Sequence, residues 1–500
     1  MTDPHAVRLP LPTPGASGAL CVMVLGTSSG AGKSWLATAL CRWYARQGFR
    51  VAPFKAQNMS NNARVVPRPD GGNGEIGSAQ YFQALAAGVE PDVRMNPLLL
   101  KPEADTRSQV VLLGEVDERL TAMPWRERSA QVWPVIADAL DALRAEYDVV
   151  VIEGAGSPAE INLAASDVVN MRVARHCQAH CLLVADIDRG GAFAHLYGTW
   201  ALLAAQDRVL IQGFVLNKFR GDAALLAPAP EMLQQLTGVP VVATIPMVHD
   251  HGLPEEDGVF DDRSSVCAVA GASHGLRTIA IIAYPRISNL DEFQPLKNVP
   301  GVRLVWARAV ADVGGADWII LPGSKATIAD LLWLRAQGLD AAVARHAQAG
   351  RPVLGICGGL QMLGESLVDP GDVQGNQPGL GLLPLVTGFE PVKTVRRVTH
   401  RLGMLEGPWH GLSGVTVEGY EIHQGQTMPY QAMVHAGAGL QTAIASVAWA
   451  NQPGNVLGCY LHGLFENASV IEALFGADVP SLDAVFARMA EQLPRWFEPD

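Results

Sequence analysis

Two groups of residues have types and spacings suited to chemistry, one in each half of the chain. In the first, Gly26-Thr27-Ser28-Ser29-Gly30-Ala31-Gly32-Lys33-Ser34 lies between an apolar run and a helical one. Small residues in that place let backbone N–H groups face phosphates at a helix N-terminus. Gly26, Thr27, Gly30 and Gly32 are the candidate cradle for ATP, Lys33 is spaced to reach its terminal phosphates, and Ser34 Oγ to ligate Mg²⁺. The run Asp148-Val149-Val150-Val151-Ile152-Glu153 ends in a carboxylate followed by glycines, which suits Glu153 as a second oxygen ligand of the magnesium. Polar segments close three further apolar runs, at 55–62, 186–191 and 217–222. At the carboxyl edge of a parallel sheet such segments line a ligand cleft. That reading makes Asn217 a nucleotide contact, and Lys55, Gln57, Asn58, Asp188, Arg189 and Arg220 contacts for a carboxylate-rich substrate.

The second group centres on Gly355-Ile356-Cys357-Gly358-Gly359, an apolar run that turns at a cysteine into a helical segment. This G-x-C-x-G spacing fits a nucleophile elbow, in which small neighbours permit a strained turn that exposes the thiol. A helix N-terminus there favours the thiolate, and the Gly358 N–H points at a developing oxyanion. Gly323, in Leu321-Pro322-Gly323-Ser324, is the candidate second oxyanion donor, and His462, in Tyr460-Leu461-His462-Gly463, the candidate base. By itself a cysteine in an apolar run is usually core and a lone histidine structural. In this order they match the signature of class I glutamine amidotransferases. That family continues its histidine with Glu two residues later, where this chain has Leu464. Whether Glu466 or another residue orients His462 stays open.

One cluster imitates a metal site. His176-Cys177-Gln178-Ala179-His180-Cys181 holds two His and two Cys within six residues, but the paired CxxC elements of a zinc site are absent. Core cysteines at a helix–strand junction are the expectation.

The elements that must position these groups are legible as apolar runs of strand length alternating with longer amphipathic stretches, the pattern of βαβ units around a parallel sheet. Candidate strands fall at 20–26, 50–55, 148–153, 181–187, 211–217 and 239–245, and, after a polar interval, at 278–284, 303–306, 318–321 and 352–356. Runs near 415–422 and 443–460 look antiparallel. The expected organisation is a disordered leader at 1–18, an ATP- and substrate-binding domain at 19–250, a linker at 251–275, a second domain at 276–486 and a tail at 487–500. Five hundred residues exceed one usual core. A net charge of −12 argues against nucleic acid and anionic membrane as partners. Seven cysteines without regular spacing, and no apolar run of membrane-spanning length, point to the cytoplasm. A homo-oligomer stays open.

The phosphate loop has five residues between Gly26 and Gly32 where the strict motif has four, a spacing similar to the dethiobiotin-synthetase class of P-loop enzymes. The chain as a whole resembles the cobyric acid synthase family. The resemblance rests on 54–62, Gly74-Glu75-Ile76-Gly77, Met95-Asn96-Pro97-Leu98-Leu99-Leu100-Lys101-Pro102, 108–111, 159–163, 186–191, 217–222, 253–257, 322–330 and 460–467. Leu360 stands where that family commonly has an aromatic residue. The resemblance implies a P-loop domain of dethiobiotin-synthetase type followed by a flavodoxin-like amidotransferase domain. It implies adenosylcobyrinic acid a,c-diamide as substrate, glutamine as nitrogen donor and Mg-ATP as activator, with cobalt present only inside the corrinoid. Four carboxylates, b, d, e and g, would be amidated. Two alternatives stay open: the sister enzyme that amidates a and c, and a P-loop switch ATPase with an inactive glutaminase domain, against which the intact Cys357 and His462 argue.

Overall fold

The computed structural model describes residues 9–13, 18–104, 106–248, 251–254, 264–266, 276–371 and 375–497. A six-stranded parallel sheet forms the first domain, with neighbouring strands Val241–Pro246, Ile211–Phe219, His180–Asp186, Leu20–Gly26, Val149–Glu153 and Val51–Phe54. Its central strands are apolar on both faces because helices cover both, as continuous Val/Leu/Ile runs require. The second sheet is mixed. Val302–Ala307, Arg277–Ile282, Trp318–Leu321, Val353–Ile356 and Val456–Cys459 are parallel, and antiparallel strands extend both edges. All ten parallel strands predicted from sequence occur, with ends moved by up to two residues.

Several elements were not predicted. Segment 57–116 contains a four-stranded sheet of Gln57–Met59, Leu98–Ala104, Arg107–Leu112 and Glu115–Val116, and a hairpin of Ala63–Pro67 with Asn73–Gly77. A long hairpin rises from the second domain, in which the unpredicted strand Leu385–Arg401 pairs antiparallel with Thr416–Pro429, the run expected near 415–422. The two insertions meet in a small core of Ala63, Val65, Leu99, Val111, Tyr420 and Ile422, so the seam between the domains is itself packed.

Both ends of the chain differ from expectation. Within the predicted leader, Leu9 is buried and the Pro10 carbonyl accepts from Tyr44 Oη at 2.7 Å; residues 1–8 and 14–17 lie outside the described residues. Most of the predicted linker, 255–263 and 267–275, also lies outside them. The described part of the predicted tail, 487–497, falls in two helices, Leu482–Gln492 and Pro494–Phe497, that return to the first domain and cover the phosphate-loop helix Lys33–Arg46. Val485, Phe486, Met489, Leu493 and Phe497 bury there, a helical stripe that burial explains, and Arg42–Asp483 at 2.6 Å and Arg46–Glu491 at 3.0 Å flank it.

Candidate active sites

The phosphate loop joins Leu20–Gly26 to the helix Lys33–Arg46 beside the point where strand order reverses, the place where open α/β sheets take ligands. Gly32 has φ 99°, and a Cβ on it would lie 2.0 Å from Asn217 Nδ2. That amide donates to the Ala31 carbonyl at 2.8 Å, so Asn217 braces the loop from a neighbouring strand. Lys33 Nζ donates to the Ser28 and Gly156 carbonyls at 2.9 and 3.2 Å, which holds it across the loop. Thr27 N–H donates to the Val184 carbonyl at 2.9 Å, tying the loop to the sheet.

Glu153 lies opposite. Its Oε1 accepts from Ser34 Oγ at 2.9 Å and Lys55 Nζ at 2.8 Å, and its Oε2 from Gln83 Nε2 at 2.6 Å. Burial pushes this carboxyl up, but the Lys55 ammonium and the three hydrogen bonds outweigh it and hold the group below the usual carboxylate range. An ionised carboxylate beside a serine hydroxyl at the mouth of a phosphate loop is a hard-oxygen donor pair that fits Mg²⁺. Sequence reasoning missed Gln83, which arrives on the helix Ser78–Ala87.

The predicted substrate contacts divide. Lys55 and Asn58 are buried, Lys55 on Glu153 and Asn58 with its amide 3.5 Å from Gln80 Oε1. Gln57 Oε1 is buried without a hydrogen-bond partner among the described residues. Asp188, Arg189 and Arg220 form an exposed group on the other side of the phosphate loop: Arg220 Nε donates to Asp188 at 2.7 Å, and Arg189 lies 3.5 Å from Asp186.

In the second domain Cys357 stands between the strand Val353–Ile356 and the helix Gly358–Leu363 with φ 50°, ψ −106°. A non-glycine residue in that region is strained, as an elbow nucleophile requires. A Cβ on Gly358 would lie 2.8 Å from Ser324 N, so the elbow closes only with glycine beside the cysteine. Gly323 lies on the facing Gly323–Ser324 segment, next to the His462 ring. Ser324 is tied down in turn by its Oγ donating to Asp330 at 2.5 Å, and burial raises that carboxyl to about 6.

His462 is fully buried beside Cys357, whose thiol donates to the Ile422 carbonyl at 3.5 Å. Its Nδ1 lies 3.1 Å from Glu292 Oε1, and Glu292 Oε2 accepts from Gly463 N–H at 2.9 Å. Burial works against the imidazolium, but the Glu292 carboxylate and Cys357 together raise His462 to about 10. Glu292 therefore stands in the orienting position. Glu466 pairs instead with Arg64 Nη1 at 2.6 Å. The Tyr420 ring stacks on His462, centroids 5.3 Å apart.

Both sites are tied to the seam. The turn Leu290–Phe293 carrying Glu292 is gripped by the first domain: Asn62 Oδ1 accepts from Leu290 N–H at 2.9 Å, and Ala63 N–H donates to Asn289 Oδ1 at 3.1 Å. Arg64, also from the first domain, is buried against Asp291 and Glu466 with its guanidinium over the Tyr420 ring. A cavity of about 60 Å³ at Cys357 is lined by Ser324, Lys325, Ile422, His462, Lys393 and, from the first domain, Lys101. Buried Glu75 accepts from Lys101 at 2.7 Å and from Lys393. Burial pushes Glu75 up, yet the two ammonium groups hold it at about 2, whereas burial brings Lys393 down to about 7.

The histidines and cysteines at 176–181 go to separate partners. His176 Nε2 lies 2.9 Å from Asp141, and the Cys177 and Cys181 thiols donate to the Val173 and Ala179 carbonyls. Among the described residues no helix is long and apolar enough to cross a membrane.

Residues 22–257 match the family model of the CobQ/CobB/MinD/ParA nucleotide binding domain, and residues 278–470 that of the CobB/CobQ-like glutamine amidotransferase domain. A protein of Paracidovorax citrulli (strain AAC00-1) named cobyric acid synthase is 73% identical over 482 residues, covering 96% of this chain and 98% of its own length. Proteins of the same name from Acidovorax ebreus (strain TPSY) and Variovorax paradoxus (strain S110) are 71% and 69% identical. Each alignment covers 96% of this chain, with 98% of the Acidovorax protein and 97% of the Variovorax protein. With both domains matched in order and the full-length likeness this high, the chain belongs to the cobyric acid synthase family.

Proposed function

We propose that this chain amidates the b, d, e and g side-chain carboxylates of adenosylcobyrinic acid a,c-diamide, using ATP and glutamine, to give adenosylcobyric acid in cobalamin biosynthesis. The observation that supports it best is one chain holding two complementary half-sites across a packed seam. Cys357, His462 and Glu292 can release nitrogen, while Lys33, Ser34 and Glu153 can activate a carboxylate.

A carboxylate is a poor electrophile. Its oxygen attacks the γ-phosphorus of ATP, ADP leaves, and the acyl phosphate forms. Lys33 swings from its loop carbonyls onto the phosphates, and the backbone N–H groups of Gly30 to Lys33 take up their charge. Ser34 Oγ and Glu153 would hold the magnesium, which supplies further charge neutralisation. Lys55 keeps Glu153 ionised and positioned.

In the second domain Cys357 Sγ attacks the side-chain amide carbon of glutamine. The oxyanion faces the Gly358 and Gly323 N–H groups, and imidazolium His462 gives its proton to the departing nitrogen. Water then resolves the thioester to glutamate. Ammonia displaces phosphate from the acyl phosphate and leaves an amide. Between the two sites it must pass the seam where Lys101 and Lys393 line the Cys357 cavity. The setting this reading implies is cytoplasmic, with a boundary between the domains at 251–275, no nucleic-acid or membrane partner, and cobalt carried only by the substrate.

Mass spectrometry of the corrinoid after incubation with ATP, Mg²⁺ and glutamine tests the reading. The expected product carries four new amides, reached through a ladder of equal mass steps. Amidation of cobyrinic acid at a and c alone, with the a,c-diamide untouched, assigns the chain to the sister activity instead.

A further inference from the structure

A cavity of about 590 Å³ lies apart from both the phosphate loop and the Cys357 site. It lies beside the predicted substrate segment and is lined by Met59, Arg107, Trp125 and Arg128 of the first domain and Arg286 of the second. Its volume is that of a ligand site. Three arginines line it in a chain whose net charge is −12.

Arg128 is the telling residue. It is 7% exposed, and its Nη2 donates only to backbone carbonyls, Met123 at 2.7 Å and Thr121 at 3.4 Å. Its Nε has no hydrogen-bond partner, and no carboxylate pairs with it among the described residues. A guanidinium cannot shed its charge, so a buried one lacking an anion is set up to receive one. Arg107 is held by an exposed pair with Glu103 at 3.2 Å, the kind of contact an incoming anion exchanges cheaply. Trp125 lies under the Arg128 guanidinium, and Met59 is 58% exposed, giving an apolar surface among the cations.

Position supports a substrate and not a remote effector. Met59 follows Lys55 by four residues, at most about 14 Å of chain, and Lys55 Nζ lies 2.8 Å from Glu153. Alternation along two paired strands makes them a wall between the cavities. Leu100, Pro102 and Ser108 line the large one. The intervening Lys101 lines the Cys357 cavity, and its register partner Gln109 accepts from Lys325 at 2.9 Å. A molecule in the large cavity is thus one strand-thickness from the nitrogen source.

We propose that this cavity seats one edge of the corrinoid, with Arg128, Arg107 and Arg286 taking side-chain carboxylates that are not reacting and Met59 with Trp125 facing the macrocycle. The proposal rests on the corrinoid reading above. As successive carboxylates become amides, the edge in the cavity loses charge and its hold on the arginines.

The test measures KM for adenosylcobyrinic acid a,c-diamide in Arg128→Met and, because Arg128 also braces its loop, in the exposed-site variant Met59→Glu. Each is expected to raise it roughly tenfold or more, the scale of one charge-assisted contact. KM for ATP and for glutamine should not move, and the penalty should shrink for partly amidated corrinoids. Unchanged corrinoid KM in Met59→Glu, with the wild type amidating normally, overturns the cavity assignment alone. A wild-type protein that amidates no corrinoid overturns the functional reading and this proposal together.

Discussion

Glu292 reaches His462 from 170 residues earlier in the chain and places Oε1 3.1 Å from its Nδ1 while its other oxygen binds the next backbone N–H. This two-point contact fixes the ring plane and the tautomer. Glu292→Gln should therefore lower glutamine hydrolysis by about 10²-fold or more, with amidation from added ammonia retained. Without the carboxylate, Cys357 alone is left to oppose burial at His462, so its value falls from about 10 and the alkaline limb of the pH–rate profile moves to lower pH. Glu466→Gln should leave that limb in place. A profile that moves only in the Glu466 variant would reverse the assignment.

Cys357→Ala should abolish glutamine-supported amidation and spare amidation from high ammonia, since the proposed reaction uses the thiol to release nitrogen and not to activate the carboxylate. Product formation from both nitrogen sources, assayed on protein with wild-type circular dichroism, checks this. Loss of both rates would contradict the division of labour.

Lys33→Ala should remove synthesis from either nitrogen source, because the proposed reaction needs its ammonium, now held on the Ser28 and Gly156 carbonyls, at the phosphates. Glutamine hydrolysis should fall less. Phosphate release and amide formation are the readouts, and normal amidation would sink the phosphate-loop assignment.

Glu75→Gln should loosen the seam, because it leaves buried Lys101 and half-buried Lys393 together without their shared carboxylate. The expected cost is about 3–5 kcal/mol, as for breaking one partner of a buried ion pair, read as an earlier urea midpoint at neutral pH. The wild-type contribution has a definite sign. Glu75 is depressed from an ordinary 4.5 to about 2, so its stabilisation is complete above 4.5 and is lost as pH falls through about 2. The Gln variant should lack that acid dependence. A variant as stable as the wild type at pH 7 would show that the cluster does not hold the domains.

The chain's own order of residues determined the parallel strands, the phosphate loop with Lys33 and Ser34, the strand-ending Glu153, and the elbow at Cys357 with His462 on a neighbouring strand end. Each is a local pattern of strand, turn and helix in which the chemistry and the backbone requirement occupy adjacent positions. Tertiary structure alone decided the partners. Glu292 sits in an Asp-Glu pair that reads as a solvated turn until folding buries it against His462. Arg64, Lys101 and Gln83 look like ordinary members of short segments, since no periodicity marks a contact made across hundreds of residues. The helix Leu482–Gln492 had an apolar stripe but no sequence signal that its target was the phosphate-loop helix of the other domain. Burial and pairing are properties of the assembled seam, and a linear spacing rule has no access to them.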